Sequence, residues 1–184
     1  MDFFELQKFI EIVLFILNKT KGVTIYQLNK LLYFAEMKHL ATWGVPFIPD
    51  TFQAWKLGPV PRNLYMALKH INKPEKQFTV EIAKNITLAG EDAPSILIAK
   101  RVANMDYLSE TAIASLEDAI ANYSHLSFAE LKEKSHDSAW KEARNKGENQ
   151  EISRVSMARV ITDNTAILDY IKYTLELQEA FRDA

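Results

Sequence analysis

Apolar residues recur at helical spacing from the first turn of the chain. Phe3, Leu6, Phe9/Ile10, Val13/Leu14 and Leu17 predict a helix over residues 3–18. Between Ile12 and Leu17 that helix is apolar on every side, so it should be buried on more than one. Lys21-Gly22 ends it, as glycine just past a helix usually does. Thr24, with Gln27 three positions on, predicts a capping box opening a second helix. Its face runs Ile25, Leu28, Leu31/Leu32, Ala35 and His39, and it should end near Thr42, before Gly44 and Pro46. The short connection makes the two helices neighbours.

The pattern then breaks. Gly44, Pro46, Pro49, Gly58, Pro59 and Pro61 punctuate residues 43–61 and leave room for a short extended segment from Thr51 to Leu57. Pro61 suits the first turn of a third helix carrying Leu64, Tyr65 and Leu68. Residues 76–88 and 95–102 lean towards strands, joined by the turn-rich Ala89–Pro94, and predict an antiparallel pair; Glu81–Asn85 also suits a helix. From Ser109 onward Ile113, Leu116, Ile120 and Tyr123 mark a helical face. Ser127 and Glu130 form a second capping box for a helix at 128–134, and a further short helix over 137–146 stops at Gly147. Residues 156–181 should be mostly helical. The expected fold is α+β, predominantly helical: one compact domain over residues 1–184 with a small antiparallel sheet or hairpin.

Composition narrows the function classes. Hydrophobic residues at 48% and charged residues at 25% match an ordinary globular chain, and 184 residues bury enough surface to need no staple. The absence of cysteine excludes a disulfide framework, thiolate catalysis and cysteine-ligated metal centres. The first apolar run is interrupted by Glu5, Lys8 and Glu11 and lacks a basic leader, so neither a signal peptide nor a membrane span is expected, and the cytoplasm is the default location. Residues 1–70 carry eight Lys/Arg against five Asp/Glu, and the remainder fourteen against nineteen. Neither part has the dense basic block that neutralises many phosphates, so nucleic acid is not an expected partner.

Candidate chemistry is sparse. Glu-x-x-His occurs at Glu36/His39 and Glu133/His136, a spacing that di-metal helical bundles use, but chance alone supplies about a third of one such motif here. Ser135-His136-Asp137 lists triad residue types, yet adjacent side chains diverge where a triad must converge. There is no phosphate-cradling glycine loop and no nucleophile elbow. Neither catalysis nor a cofactor is expected. The first two helices have the outline of a helix-turn-helix, although the second opens without a basic, apolar-free turn. Trp43, Trp55 and Trp140 read as core or edge-of-core residues, and His136 as buttressing a helix end through a ring hydrogen bond.

Two blocks carry a more specific signal. Residues 28–65, LNKLLYFAEMKHLATWGVPFIPDTFQAWKLGPVPRNLY, resemble the core motif of the Panacea domain, the SocA-like antitoxin family. The family's Leu-Gln-Lys-Leu-Leu-Tyr-Phe-like run falls on Leu28–Phe34, its Gly-x-Pro turn on Gly44–Phe47, its Ala-Trp on Ala54-Trp55, its Gly-Pro-Val on Gly58–Val60, and its following tyrosine on Tyr65. A second block, residues 128–143, matches at Leu131, Ser135, His136 and Trp140. The departures are Asn29 for glutamine and Leu57 for an aromatic. The resemblance spans most of residues 5–145; residues 76–105 and the helical segment at 156–181 carry no motif of it.

The resemblance implies an antitoxin that neutralises a toxin protein, encoded by a neighbouring gene, by binding it directly. Prophages and anti-phage defence are its natural setting. Alternatives are an adaptor that delivers a bound protein to a protease, and a DNA-binding regulator. The motif residues implicated are Tyr33, Phe34, Phe52, Trp55, Gly58, Pro59, Val60, Tyr65, His136 and Trp140. Phe52 and Trp55 are expected to pack on the first two helices, with Gly58-Pro59-Val60 as a sharp corner bordering the partner surface. Partner choice is expected in segments outside the motif, such as residues 76–105.

Overall fold

The computed structural model describes residues 2–90 and 95–182, so the tip of the expected turn at residues 91–94 lies outside the described residues. Among these residues the chain is mainly helical, with two small antiparallel sheets. Helix α1 (Phe3–Thr20) is held at its start by an Asp2–Glu5 capping box and closed by Lys21 in the left-handed region. Every residue from Phe9 to Leu17 is buried, as the all-round apolar run requires. Helix α2 (Ile25–Trp43) begins with the Thr24–Gln27 box and ends at Gly44, φ 70°. It is the centre of the molecule. Helices α5 (Glu110–Tyr123), α6 (Phe128–Ser135), α8 (Arg154–Arg159) and α9 (Thr165–Arg182) all pack against it.

Three further helices complete the frame: α3 (Arg62–Lys69), α4 (Gln77–Asn85) and α7 (Ser138–Asn145). Pro61 caps α3 from outside as an extended residue rather than entering its first turn. The Asp50 carboxylate takes the orphan amides of Asn63 and Leu64 at the same helix start.

One sheet is the pair expected around residues 86–99, with an unforeseen third member. Strand β4 (Ile86–Ala89) pairs with β5 (Ile96–Ala99), and β5 pairs on its other side with the two-residue β1 (Val23–Thr24). Most of the segment read as the first strand, residues 77–85, is instead α4. Its Phe78, Val80 and Ile82 alternate like a strand, but helical winding buries Thr79 and Ile82 on one face with Phe78 and Ala83 beside them. The other sheet is a hairpin, β2 (Phe52–Trp55) and β3 (Gly58–Pro61), joined by Lys56-Leu57.

One hydrophobic cluster runs from Phe9 in α1 to Ile171 in α9. Two buried charges are tied into its border. Glu11 takes a two-pronged pair from Arg101 at 2.6 and 2.9 Å and the Asn104 amide at 2.7 Å. Glu36 accepts the Phe47 and Ile48 amides at 3.1 Å each, which fixes the chain as it leaves α2. Trp43, expected in or beside the core, is half exposed at the end of α2. No helix among the described residues is long and apolar enough to cross a membrane.

Candidate functional site

The β2–β3 hairpin places its prolines where a strand tolerates them. Phe52 faces Pro61, Gln53 faces Val60, Ala54 faces Pro59 and Trp55 faces Gly58. Arg62 N donates to Thr51 O, so the hydrogen-bonded rungs alternate with the Pro59 and Pro61 positions, and neither missing N–H leaves a gap in the ladder. The outer edge of β2 is covered as well. Ala54 N donates to Gln150 O and Ile152 N to Phe52 O, both at 2.8 Å.

Pro59's carbonyl accepts the Lys30 ammonium of α2 at 2.9 Å. Lys30 is 1% exposed, and its charge lies 4.8 Å from the Tyr26 ring centre. No carboxylate pairs with it among the described residues, and burial pulls its pKa down to about 7. Gly58 sits against this group at φ +104°. A methyl group on Gly58 would lie 2.7 Å from Lys30 Nζ and 2.8 Å from Ser135 Oγ, so the corner needs glycine on two grounds.

The second sequence block closes over the hairpin from the opposite side. His136 ends α6, and Asp137 caps α7 by accepting Trp140 N. Tyr33 of α2 donates to the Asp137 carboxylate at 3.0 Å. Trp140 Nε1 donates to the Trp55 carbonyl at 3.0 Å, and Arg144 reaches the Ala54 carbonyl at 3.4 Å. His136 stacks flat on Trp140, ring centres 3.8 Å apart. The ring hydrogen bond expected of His136 is not what holds it: Nε2 is buried without a partner, and stacking supplies the contact. Burial, with nearby Lys132, Lys30 and Lys141, lowers its pKa and keeps the imidazole neutral.

The triad and metal patterns disperse. Ser135 Oγ donates to Lys132 O, the His136 ring stacks on Trp140, and Asp137 serves Tyr33 and the α7 amide. Glu36 Oε2 takes two backbone amides and Oε1, without a hydrogen bond, lies 3.9 Å from Arg154 Nε, while His39 bonds Val45 O and Thr111 Oγ1. Among the described residues no group of three or more potential ligands converges.

Of the implicated residues, Tyr33, Phe52, Gly58, Pro59, Val60, His136 and Trp140 meet at this junction, with Phe52 edge-on to Tyr33 at 5.4 Å. Phe34 does not join them; it stacks on Tyr123 of α5 at 3.9 Å. Trp55 departs from expectation. Rather than packing on the first two helices, its ring is partly exposed, lies edge-on to Tyr65 at 4.9 Å and donates to Gln53 Oε1. Exposed Leu57 and Met66 and the Lys69 ammonium over Tyr65 extend that aromatic ridge. Asp137 enters the sequence reading as a triad residue type and Lys30 within the Leu28–Phe34 run; neither is among the implicated motif residues. Asp137 has a sequence signal, a cap residue before a helix; a lysine on an amphipathic helix has none.

Two signature blocks about sixty residues apart thus form one interlocked unit. Residues 28–141, more than half the chain, match the model of the family described as "Antitoxin SocA-like, Panacea domain". The chain belongs to this family. No curated protein and no solved structure matches it significantly. Membership supports an antitoxin-type role. In this Panacea domain the signature is chiefly a set of inward contacts: Lys30 to Pro59, Tyr33 to Asp137, Trp140 to Trp55.

Proposed function

We propose that this protein is the antitoxin of a toxin–antitoxin pair and neutralises its toxin by direct protein–protein binding, with no catalytic step. The observation that carries the binding mode is the Trp55–Tyr65 ridge, partly exposed and mounted on a junction whose backbone is held from three sides. Aromatic side chains fixed before contact lose little entropy on binding, which is what an interface anchor requires. Lys56, Arg62 and Lys69 give the ridge a charged rim.

The experiment is to purify the tagged protein from its native cells and identify what co-purifies in stoichiometric amount. Support is one dominant protein that arrests growth when expressed alone and is tolerated when co-expressed. If that protein disappears from the cell when co-expressed, the mechanism is delivery to a protease instead of blocking. A preparation without any protein partner sinks the reading.

A further inference from the structure

We infer that the cleft between α3 and α4 seats an acidic segment of a partner protein through an apolar anchor. The cleft has a volume of about 720 Å³ and is lined in part by α3, the helix that carries Tyr65 of the aromatic ridge. Its floor includes Leu6, Met66, Ala67 and Phe78, and its walls carry Arg62, His70, Lys73 and Lys76.

These four basic side chains form no salt bridge and no side-chain hydrogen bond among the described residues. Lys19, Lys84, Arg101, Arg144, Lys146 and Lys172 each hold a carboxylate. Other bases such as Lys21, Lys56 and Lys134 also stand unpaired, but among the described residues only here do several line one cleft. Glu75 also lines the cleft and pairs with none of them. Arg62, Lys73 and Lys76, with Glu75 as the one carboxylate in the lining, thus gather unpaired positive charge in one concave place on a chain of net charge −2. The cations carry the inference. The amides at the start of α4, which no side chain caps, only add potential of the same sign.

The floor decides what kind of anion fits. A free phosphate has no use for Leu6, Met66 and Phe78, whereas a peptide with carboxylates flanking one apolar side chain uses floor and walls together. Single-stranded nucleic acid needs an open aromatic face for stacking. Of the two rings lining the cleft, Phe78 is turned inward onto Phe9, ring centres 6.4 Å apart, and only the small His70 imidazole is exposed. The cleft is also continuous with the proposed partner surface. Arg62, Met66 and His70 lie on the exposed face of α3, and Tyr65 of the ridge is the neighbour of Met66. The occupant's identity as a toxin segment rests on the antitoxin reading; the chemistry of the cleft does not.

The test uses the full chain and a displayed library of random peptides about twelve residues long, followed by anisotropy titrations with the enriched peptides. Enriched sequences should set Asp or Glu on both sides of Leu, Ile, Met or Phe. Their affinity should fall about tenfold or more in Lys73→Glu/Lys76→Glu, hold in Lys73→Arg/Lys76→Arg, and weaken as salt rises from about 50 to about 300 mM. Both lysines are exposed, so the variants should melt with the parent. No acidic enrichment, equal binding to the Glu variant, or displacement by a short single-stranded oligonucleotide of higher affinity each overturns the assignment. Neutralisation of a toxin that persists in the Glu variant also overturns it and leaves the antitoxin reading standing. Peptide binding without any neutralised toxin does the reverse.

Discussion

The hydroxyl of Tyr33 donates to the Asp137 carboxylate at 3.0 Å, joining helices whose bonded residues are 104 positions apart. Asp137 has a second duty in capping α7 at the Trp140 amide. Tyr33→Phe should therefore cost about 1.5–3 kcal/mol, the range for a hydrogen bond to a charged group. Asp137→Ala should cost more, about 2–4 kcal/mol, because it also removes a cap and leaves a buried hydroxyl unpaired. Urea denaturation of the two variants measures the difference; equal losses would mean that the cap contributes nothing.

Gly58→Ala tests the corner. Its φ of +104° strains any other residue, and the added methyl collides with Lys30 Nζ and Ser135 Oγ. A loss of about 2–4 kcal/mol is expected. Lys30→Met in the same chain should recover only part of it, since removing the ammonium relieves the contact at Nζ but neither the one at Ser135 Oγ nor the dihedral. Full recovery in thermal melts would assign the whole cost to the collision.

Lys30 also gives a pH signature. Burial holds its pKa at about 7, against 10.5 ordinarily, so between those values the folded chain binds fewer protons than the unfolded one. Stability contributed by this group therefore rises with pH through that window. Glu36, raised by burial to about 7 from 4.5, does the opposite in the window below: its contribution falls as pH rises towards neutrality. His39 and His136, lowered by burial, oppose Glu36 there, so the difference between parent and variant is the quantity to read. Lys30→Met should flatten the gain between about pH 7 and about pH 10.5, and Glu36→Gln the decline between about pH 4.5 and about pH 7. Melting series across both windows check each limb.

Phe52 and Trp55, two residues of one strand, should separate fold from recognition. Phe52 is buried against Tyr33, and Phe52→Ala should cost about 3–4 kcal/mol. Trp55 is partly exposed, so Trp55→Ala should cost about 1 kcal/mol while reducing affinity for the co-purifying partner by about tenfold or more. A large stability loss at Trp55 with unchanged partner affinity would make its role structural, the larger part of what the sequence reading expects of it.

What could be read from the sequence follows the range of the forces involved. The capping boxes at Thr24–Gln27 and Ser127–Glu130 are local, and both helices start where those residues stand. The apolar circumference of α1 announced its burial because hydrophobic burial is written in composition. The first half of α4 reads as strand because Phe78, Val80 and Ile82 alternate, while Glu81–Asn85 also suits a helix, and packing against α1 and α3 selects the helical reading. β1 is two residues long, too short for any pattern, and exists only because β5 passes beside it. Lys30 was illegible for the same reason. Nothing local distinguishes a lysine facing water from one facing a proline carbonyl delivered by a distant hairpin. The two signature blocks, far apart in sequence, meet at one junction, and the structure resolves them into pairs.

The strand cover formed by Gln150–Ile152 has a consequence for where this unit can be cut. The family match stops at residue 141, yet the backbone groups of Phe52 and Ala54 find their partners beyond it. A chain ended at the family boundary would carry an unzipped β2, its amide and carbonyl row open to any extended peptide nearby. Such a fragment should self-associate or recruit foreign strands, and so present a false partner in the same assays that seek the true one.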